Sequence, residues 1–152
     1  MRALYLAISL FFVSAIVSST AIADLTPWED YEPSEAVYSV TTIRVDSNMG
    51  DAYLEGIANT WVPGNEVSKK LGQIEEYWIY RSDLPDSGDF NLMLIVKFAN
   101  TSDLAPNKER YDAFMKEFTK QRSDEATEFA QKNYPAMREI TGSYLFREIK
   151  LK

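Results

Sequence analysis

The chain contains no cysteine and no histidine. These absences exclude disulfides, thiolate nucleophiles, Ser-His-Asp and Cys-His catalysis, the usual zinc ligand sets and His-ligated haem. No Gly-rich phosphate loop, Walker pattern or dinucleotide fingerprint occurs, and no cofactor or metal is expected. Basic residues are outnumbered, 16 against 23 acidic, for a formal charge of −7. A negative domain repels phosphate backbones and anionic headgroups, so neither nucleic acid nor a membrane surface is an expected partner.

What is present is ordinary for one folded domain: 152 residues, 45% hydrophobic and 26% charged. Met1-Arg2 is positive, Ala3 to Val17 is almost wholly apolar, and Ala21-Ile22-Ala23 offers small residues at cleavage positions. Residues 1–23 therefore read as a secretory signal peptide, since the apolar run is shorter than the roughly 20 residues that cross a bilayer. The expected location is periplasmic or secreted. Arg2 is the one charge lost with that segment, which leaves residues 24–152 at −8. Without disulfides, such an exported domain relies on its core or on oligomerisation.

Residues 24–36 hold Pro27, Pro33 and five carboxylates with no helical or strand period, and are expected to be an acidic leader or surface strap. The folded domain is expected over 37–152. Val37 to Val45 is rich in β-branched residues and reads as a strand. Tyr53, Leu54, Ile57, Ala58 and Trp61 recur at helical spacing, and Pro63-Gly64 kinks or splits that helix before Val67 and Leu71. Ile74 to Arg81 and Phe90 to Phe98 read as a hairpin of two strands. Tyr111 through Ala130 trace a long amphipathic helix limited by Pro135, and Ser143 to Leu151 form a last strand. The order β-α-β-β-α-β is the signature of a ferredoxin-like α+β fold, a four-stranded antiparallel sheet with its helices on one face.

Alternation in the third strand puts Phe90, Leu92, Leu94, Val96 and Phe98 beneath the helices. The opposite face is not polar, because Met93, Ile95, Trp78, Tyr80, Tyr38 and Val40 lie on it. A second copy, or the leader of the same chain, is expected to cover it, and the larger area favours a homodimer.

The run Thr42-Ile43-Arg44-Val45, the turn with Met49-Gly50, Tyr53, the strand Glu76-Tyr77-Trp78-Ile79-Tyr80 and the ending Leu145-Phe146-Arg147-Glu148-Ile149 resemble small exported bacterial proteins of the dimeric α/β-barrel superfamily. That superfamily includes cofactor-free monooxygenases of the antibiotic-biosynthesis type. The resemblance implies a homodimer with a pocket between sheet and helices in each subunit, and many of its members have no assigned activity.

Arg44, beside aromatics at a strand end, suits a carboxylate or planar anion, or else an ion pair with Glu76 or Glu148. Arg147 faces the same alternatives. Glu76, against the apolar wall of Trp78 and Tyr80, is a candidate catalytic base if burial raises its pKa. Trp78, Tyr80, Tyr38 and Tyr77 either stack on an aromatic ligand or pack the sheet. Trp61 marks a pocket mouth at the helix break, or core. Asp83, Asp86 and Asp89 recur every third residue but lack an EF-hand pattern, so they read as a solvated loop. Asn100-Thr101-Ser102 fits a glycosylation acceptor that a bacterial source would not use. Three functions remain: an exported homodimer that is structural or binds a small aromatic or apolar ligand, a cofactor-independent oxygenase or isomerase acting on an aromatic-type substrate, and a partner-binding subunit that uses the acidic leader.

Overall fold

The computed structural model describes residues 24–84 and 88–152. The signal-peptide reading of 1–23, and Asp86 of the acidic loop, lie outside the described residues. The elements in chain order are β1 (Tyr31–Val45), α1 (Gly50–Asn59), α2 (Trp61–Lys70), β2 (Glu76–Arg81), β3 (Leu92–Phe98), a 3-10 turn (Thr101–Leu104), α3 (Lys108–Phe118), α4 (Asp124–Met137) and β4 (Arg138–Leu151). The strands form one antiparallel sheet in the order β2-β3-β1-β4. With α1–α2 and α3–α4 as the two crossovers, this is the ferredoxin-like arrangement.

Register fixes the two faces. Val37, Ile43 and Val45 of β1 stand with Leu92, Leu94 and Phe98 of β3 on the helix side, as strand alternation requires. Tyr53, Gly56 and Ile57 bury one face of α1, at a spacing of three and four residues, against Ile43, Val45, Leu92 and Leu94. Leu54, Trp61, Ile79 and Tyr134 close the margin of this core. Asn91 extends β3 by one position with its side chain, accepting from Val45 N–H and donating to Val45 C=O, both at 2.8 Å.

The helix layer is more divided than its periodicity suggests. The first helix breaks at Thr60, ahead of Pro63, which sits in the first turn of α2 where a missing N–H is tolerated. The expected single helix through Tyr111 and Ala130 is two, because the chain leaves α3 at Thr119 and restarts at Ser123, whose hydroxyl accepts from Ala126 N–H at 3.1 Å. Pro135 does not end α4. It lies in the last turn, and Met137 is still helical.

Two strands are longer than expected. β4 starts at Arg138 rather than Ser143, so Ile140 is already strand. β1 starts at Tyr31, so the second half of the acidic segment 24–36 is strand: Tyr31, Glu32 and Pro33 pair with Leu151, Lys150 and Ile149. Pro33 fits there because β3 ends at Phe98, opposite Val37, leaving this part of β1 with one neighbour. Ahead of it the chain turns back on itself through a bridge between Pro27 and Tyr31, held by Lys152 N–H to Asp30 C=O at 3.0 Å. Residues 24–36 therefore run beside the end of the β1–β4 ribbon and not over the open face.

Candidate functional site

Of the residues expected to form a site, Tyr38, Arg44, Trp78 and Tyr80 share the open face. Tyr38 and Trp78 stack across β3 with centroids 6.4 Å apart and planes at 28°. Lys97 lies 6.0 Å over the Tyr38 ring and 2.6 Å from Glu75, whose carboxylate holds the ammonium above its ordinary pKa. Tyr144 and Phe146 of β4 stack at 5.6 Å. Tyr80, Tyr144 and Phe146 are 51%, 49% and 52% exposed, high values for aromatic side chains. Arg44 stands six residues along β1 from Tyr38, about 20 Å, and donates to the Gly88 carbonyl instead of pairing with Glu76 or Glu148.

Glu76, opposite Lys97 by register, begins that face at the edge of the sheet, whereas Trp61 and Arg147 lie elsewhere. Lys69 of α2 engages the Glu76 carboxylate at 2.7 Å, and this bond, with one from Tyr77 N–H, holds Glu76 below the ordinary carboxylate range. A general base at neutral pH needs the opposite shift, so the exposed Glu76 lacks the dry environment expected for it. Trp61 is on the helix side, edge-on to Tyr77 at 5.3 Å. Tyr77 in turn donates to the Glu66 carboxylate, which pushes its phenol up to about 12. Arg147 is a clamp: it donates to the Ser34 and Glu35 carbonyls and to Thr101 Oγ1, pinning the irregular stretch of β1 and the 3-10 turn to β4. Asn100 caps that turn, accepting from Ser102 N–H at 2.9 Å while Asp103 accepts from Asn100 N–H.

A second group, not singled out from the sequence, lies between helices and sheet. Tyr53 of α1, 1% exposed, meets Tyr134 of α4 edge-on at 5.1 Å. The Tyr134 hydroxyl is 2.8 Å from Thr60 Oγ1 at the break between α1 and α2. Arg138, the first residue of β4, sits opposite Val45 and places its guanidinium carbon 5.7 Å from the Tyr53 ring and 5.5 Å from the Tyr134 ring. Burial pushes both phenols above their ordinary pKa, and the Arg138 charge partly offsets this. A groove of about 510 Å³ opens beside the cluster, lined by Ala130, Gln131, Tyr134, Pro135, Arg138 and Ile140. The helical spacing of Tyr53 and Ile57 marked the apolar face of α1. Nothing local in the sequence marked Arg138, which falls where helix passes into strand. Among the described residues no group of His, Cys, Asp and Glu is placed to hold a metal ion, and no helix is long and apolar enough to cross a membrane.

Fold and site together define a ferredoxin-like α+β domain with an exposed aromatic sheet face. Neither a protein-family model nor a curated protein matches the chain. Three of the solved structures similar to it are described as ferredoxin-like, two of them as dimeric and of unknown function. A NIPSNAP family protein of unknown function from Agrobacterium tumefaciens is 18% identical over 81% of this chain and 95% of its own, with a TM-score of 0.46. HapK from Hahella chejuensis is 13% identical over 74% and 91%, with a TM-score of 0.42. A dimeric ferredoxin-like protein of unknown function from Bacteroides fragilis is 11% identical over 80% and 100%, with a TM-score of 0.40.

Proposed function

We propose that this chain is the subunit of an exported homodimer, joined through the open faces of two sheets, with a binding role and no catalytic one. The observation that carries this reading is the half-exposed aromatic surface of Tyr80, Tyr144 and Phe146 on a sheet whose other face is already covered. Solvated sheet faces alternate apolar with polar residues, and this one does not. Residues 24–36 are engaged along the ribbon, so that segment of the chain does not fill the role. A second copy does. Four strands about 4.8 Å apart, with the β1–β4 ribbon extending beyond β2 and β3, present on the order of 700 Å², close to the roughly 800 Å² per partner of a stable interface. Arg44 and Lys97 share this face with Glu76, Glu139 and Glu148, so the face offers both signs of charge to a second copy although the chain as a whole is acidic.

Against catalysis on this face stands Glu76, the one carboxylate expected to act as base, which is exposed and ion-paired. Sedimentation of the purified protein at micromolar concentration is expected to give the mass of a dimer. The double substitution Tyr144→Glu with Phe146→Glu is expected to give a folded monomer, since both side chains are half exposed in the subunit. A wild-type monomer at that concentration overturns the proposal, and so does a double variant that remains dimeric. Mass spectrometry of the secreted protein, giving an N-terminus at Asp24, tests export.

A further inference from the structure

Arg138 is a cation without an anion. Among the described residues no Asp or Glu forms an ion pair with it, although seven of the other arginines and lysines do so within 3.2 Å. Its Nε is buried and has no hydrogen-bond partner. The flanks of its guanidinium are taken by the Tyr53 and Tyr134 rings, and a side-chain bond to Tyr53 uses part of its donor set, while Nε is left over. A part-buried charge left this way is costly unless something pairs with it, and in a chain of net −7 an intramolecular partner is the common solution. Here the chain supplies none and leaves a groove instead. Apart from Arg138 and Gln131, the lining of that groove is the Tyr134 ring, Ala130, Pro135 and Ile140.

We infer that Arg138 and the groove between α4 and the start of β4 form a binding site for a small carboxylic acid with an aromatic or aliphatic tail. The guanidinium takes the carboxylate, for which its planar donor fork is shaped. The tail lies along Pro135, Ile140 and the Tyr134 ring. Gln131 is the one neutral polar group at the mouth and sets the orientation of any further hydroxyl or amide on the ligand. The volume of about 510 Å³ falls within the range of small-molecule sites. This groove is on the helix side of the sheet, opposite the proposed dimer face, so its occupancy is tested separately from assembly.

The test is calorimetric titration and thermal melting of the purified protein with four probes: benzoate, octanoate, neutral benzamide and inorganic phosphate. Benzoate and octanoate are expected to bind saturably and raise the melting temperature, while benzamide and phosphate at equal concentration do neither. Arg138→Gln is expected to weaken carboxylate binding by at least about tenfold, with Arg138→Lys between it and the wild type. Because removing the guanidinium from between two rings risks the fold, a second variant leaves it in place: Ile140→Trp fills the mouth and is expected to block both carboxylates without changing the far-ultraviolet spectrum. The proposal is overturned if neither carboxylate binds the wild type, if Arg138→Gln binds them equally, if phosphate binds as well as benzoate, or if Ile140→Trp leaves binding intact.

Discussion

Tyr134 of α4 closes directly on Gly56 of α1: a Cβ at position 56 would stand 2.8 Å from Tyr134 Cε1 and 2.9 Å from its hydroxyl oxygen. The absent side chain at 56 is what lets the two helices bring their tyrosines together over the core. The same approach delivers the Tyr134 hydroxyl to Thr60 at 2.8 Å.

Gly56→Ala is therefore expected to destabilise the protein even though alanine is the better helix former. The helical preference favours alanine by about 1 kcal/mol, whereas forcing a ring out of a packed position costs about 1–3 kcal/mol and strains the bond to Thr60. A net loss, read as a lower urea midpoint with unchanged slope, is the expected result. A midpoint raised by the substitution would show that Tyr134 is free to move.

Stability at high pH follows from three phenols. Tyr53 and Tyr134 are held above the ordinary value of 10.0 chiefly by burial, and Tyr77 is pushed to about 12 by its bond to Glu66. In the unfolded chain these groups ionise near pH 10, while the folded chain keeps their protons. Stability is thus fully present below about pH 10 and is lost as pH rises from 10 towards 12. Denaturant midpoints across that range are expected to fall as tyrosinate absorbance on the same samples rises, and Tyr53→Phe is expected to flatten part of the decline. On the acid side the sign is reversed for Glu76, whose lowered pKa supports stability above its unfolded value and withdraws it as pH falls. Its pair with Lys69 is exposed, so Glu76→Gln is expected to leave the midpoint at neutral pH unchanged.

The order of elements was legible because each strand and helix carries a local signal: Phe90 to Phe98 is an apolar run bounded by breaks, and Tyr53, Ile57 and Trp61 mark one helix face. What escaped depends on distant partners. Tyr31, Glu32 and Pro33 look like a leader by composition, and they are strand because Leu151, Lys150 and Ile149 lie beside them. The split between α3 and α4 did have a local mark, Ser123 followed by Asp124 and Glu125, a cap-and-acid start that the continuing apolar period concealed. The open sheet face was readable from strand alternation. Arg138 was not, since its setting is made by Tyr53, Tyr134 and Val45, which are 85, 4 and 93 positions away in sequence.

Arg147 offers a sharper test of geometry than of charge. Its guanidinium reaches the Ser34 and Glu35 carbonyls and Thr101 Oγ1 at once, at the place where β1 shifts register against β4. A lysine keeps the charge but not the fork. Arg147→Lys and Arg147→Ala are therefore expected to behave alike: hydrogen exchange accelerates at residues 34–36 and 101–104, with a modest global loss of about 1 kcal/mol because the site is solvent-exposed. Full protection in the lysine variant would mean that charge alone holds the ribbon.

Asn91 separates acceptor from donor. Its amide oxygen accepts from Val45 N–H and its amide nitrogen donates to Val45 C=O, each at 2.8 Å, so one side chain replaces a strand residue on that flank of β1. Val45 is buried and, on its other side, pairs with Arg138. Asn91→Ala leaves both Val45 groups without that partner and is expected to cost about 1–3 kcal/mol, the penalty for unsatisfied groups at a part-buried site. Asn91→Asp keeps the acceptor but turns a carboxylate oxygen towards the Val45 carbonyl, so it is expected to be no better than alanine at neutral pH. Lowering the pH protonates that carboxyl and supplies a donor again, so the aspartate variant is expected to recover stability relative to alanine as the solution is acidified. Chemical denaturation of the two variants at neutral and at acid pH checks this, and an aspartate variant equal to wild type at neutral pH would show that the Val45 carbonyl does not depend on Asn91.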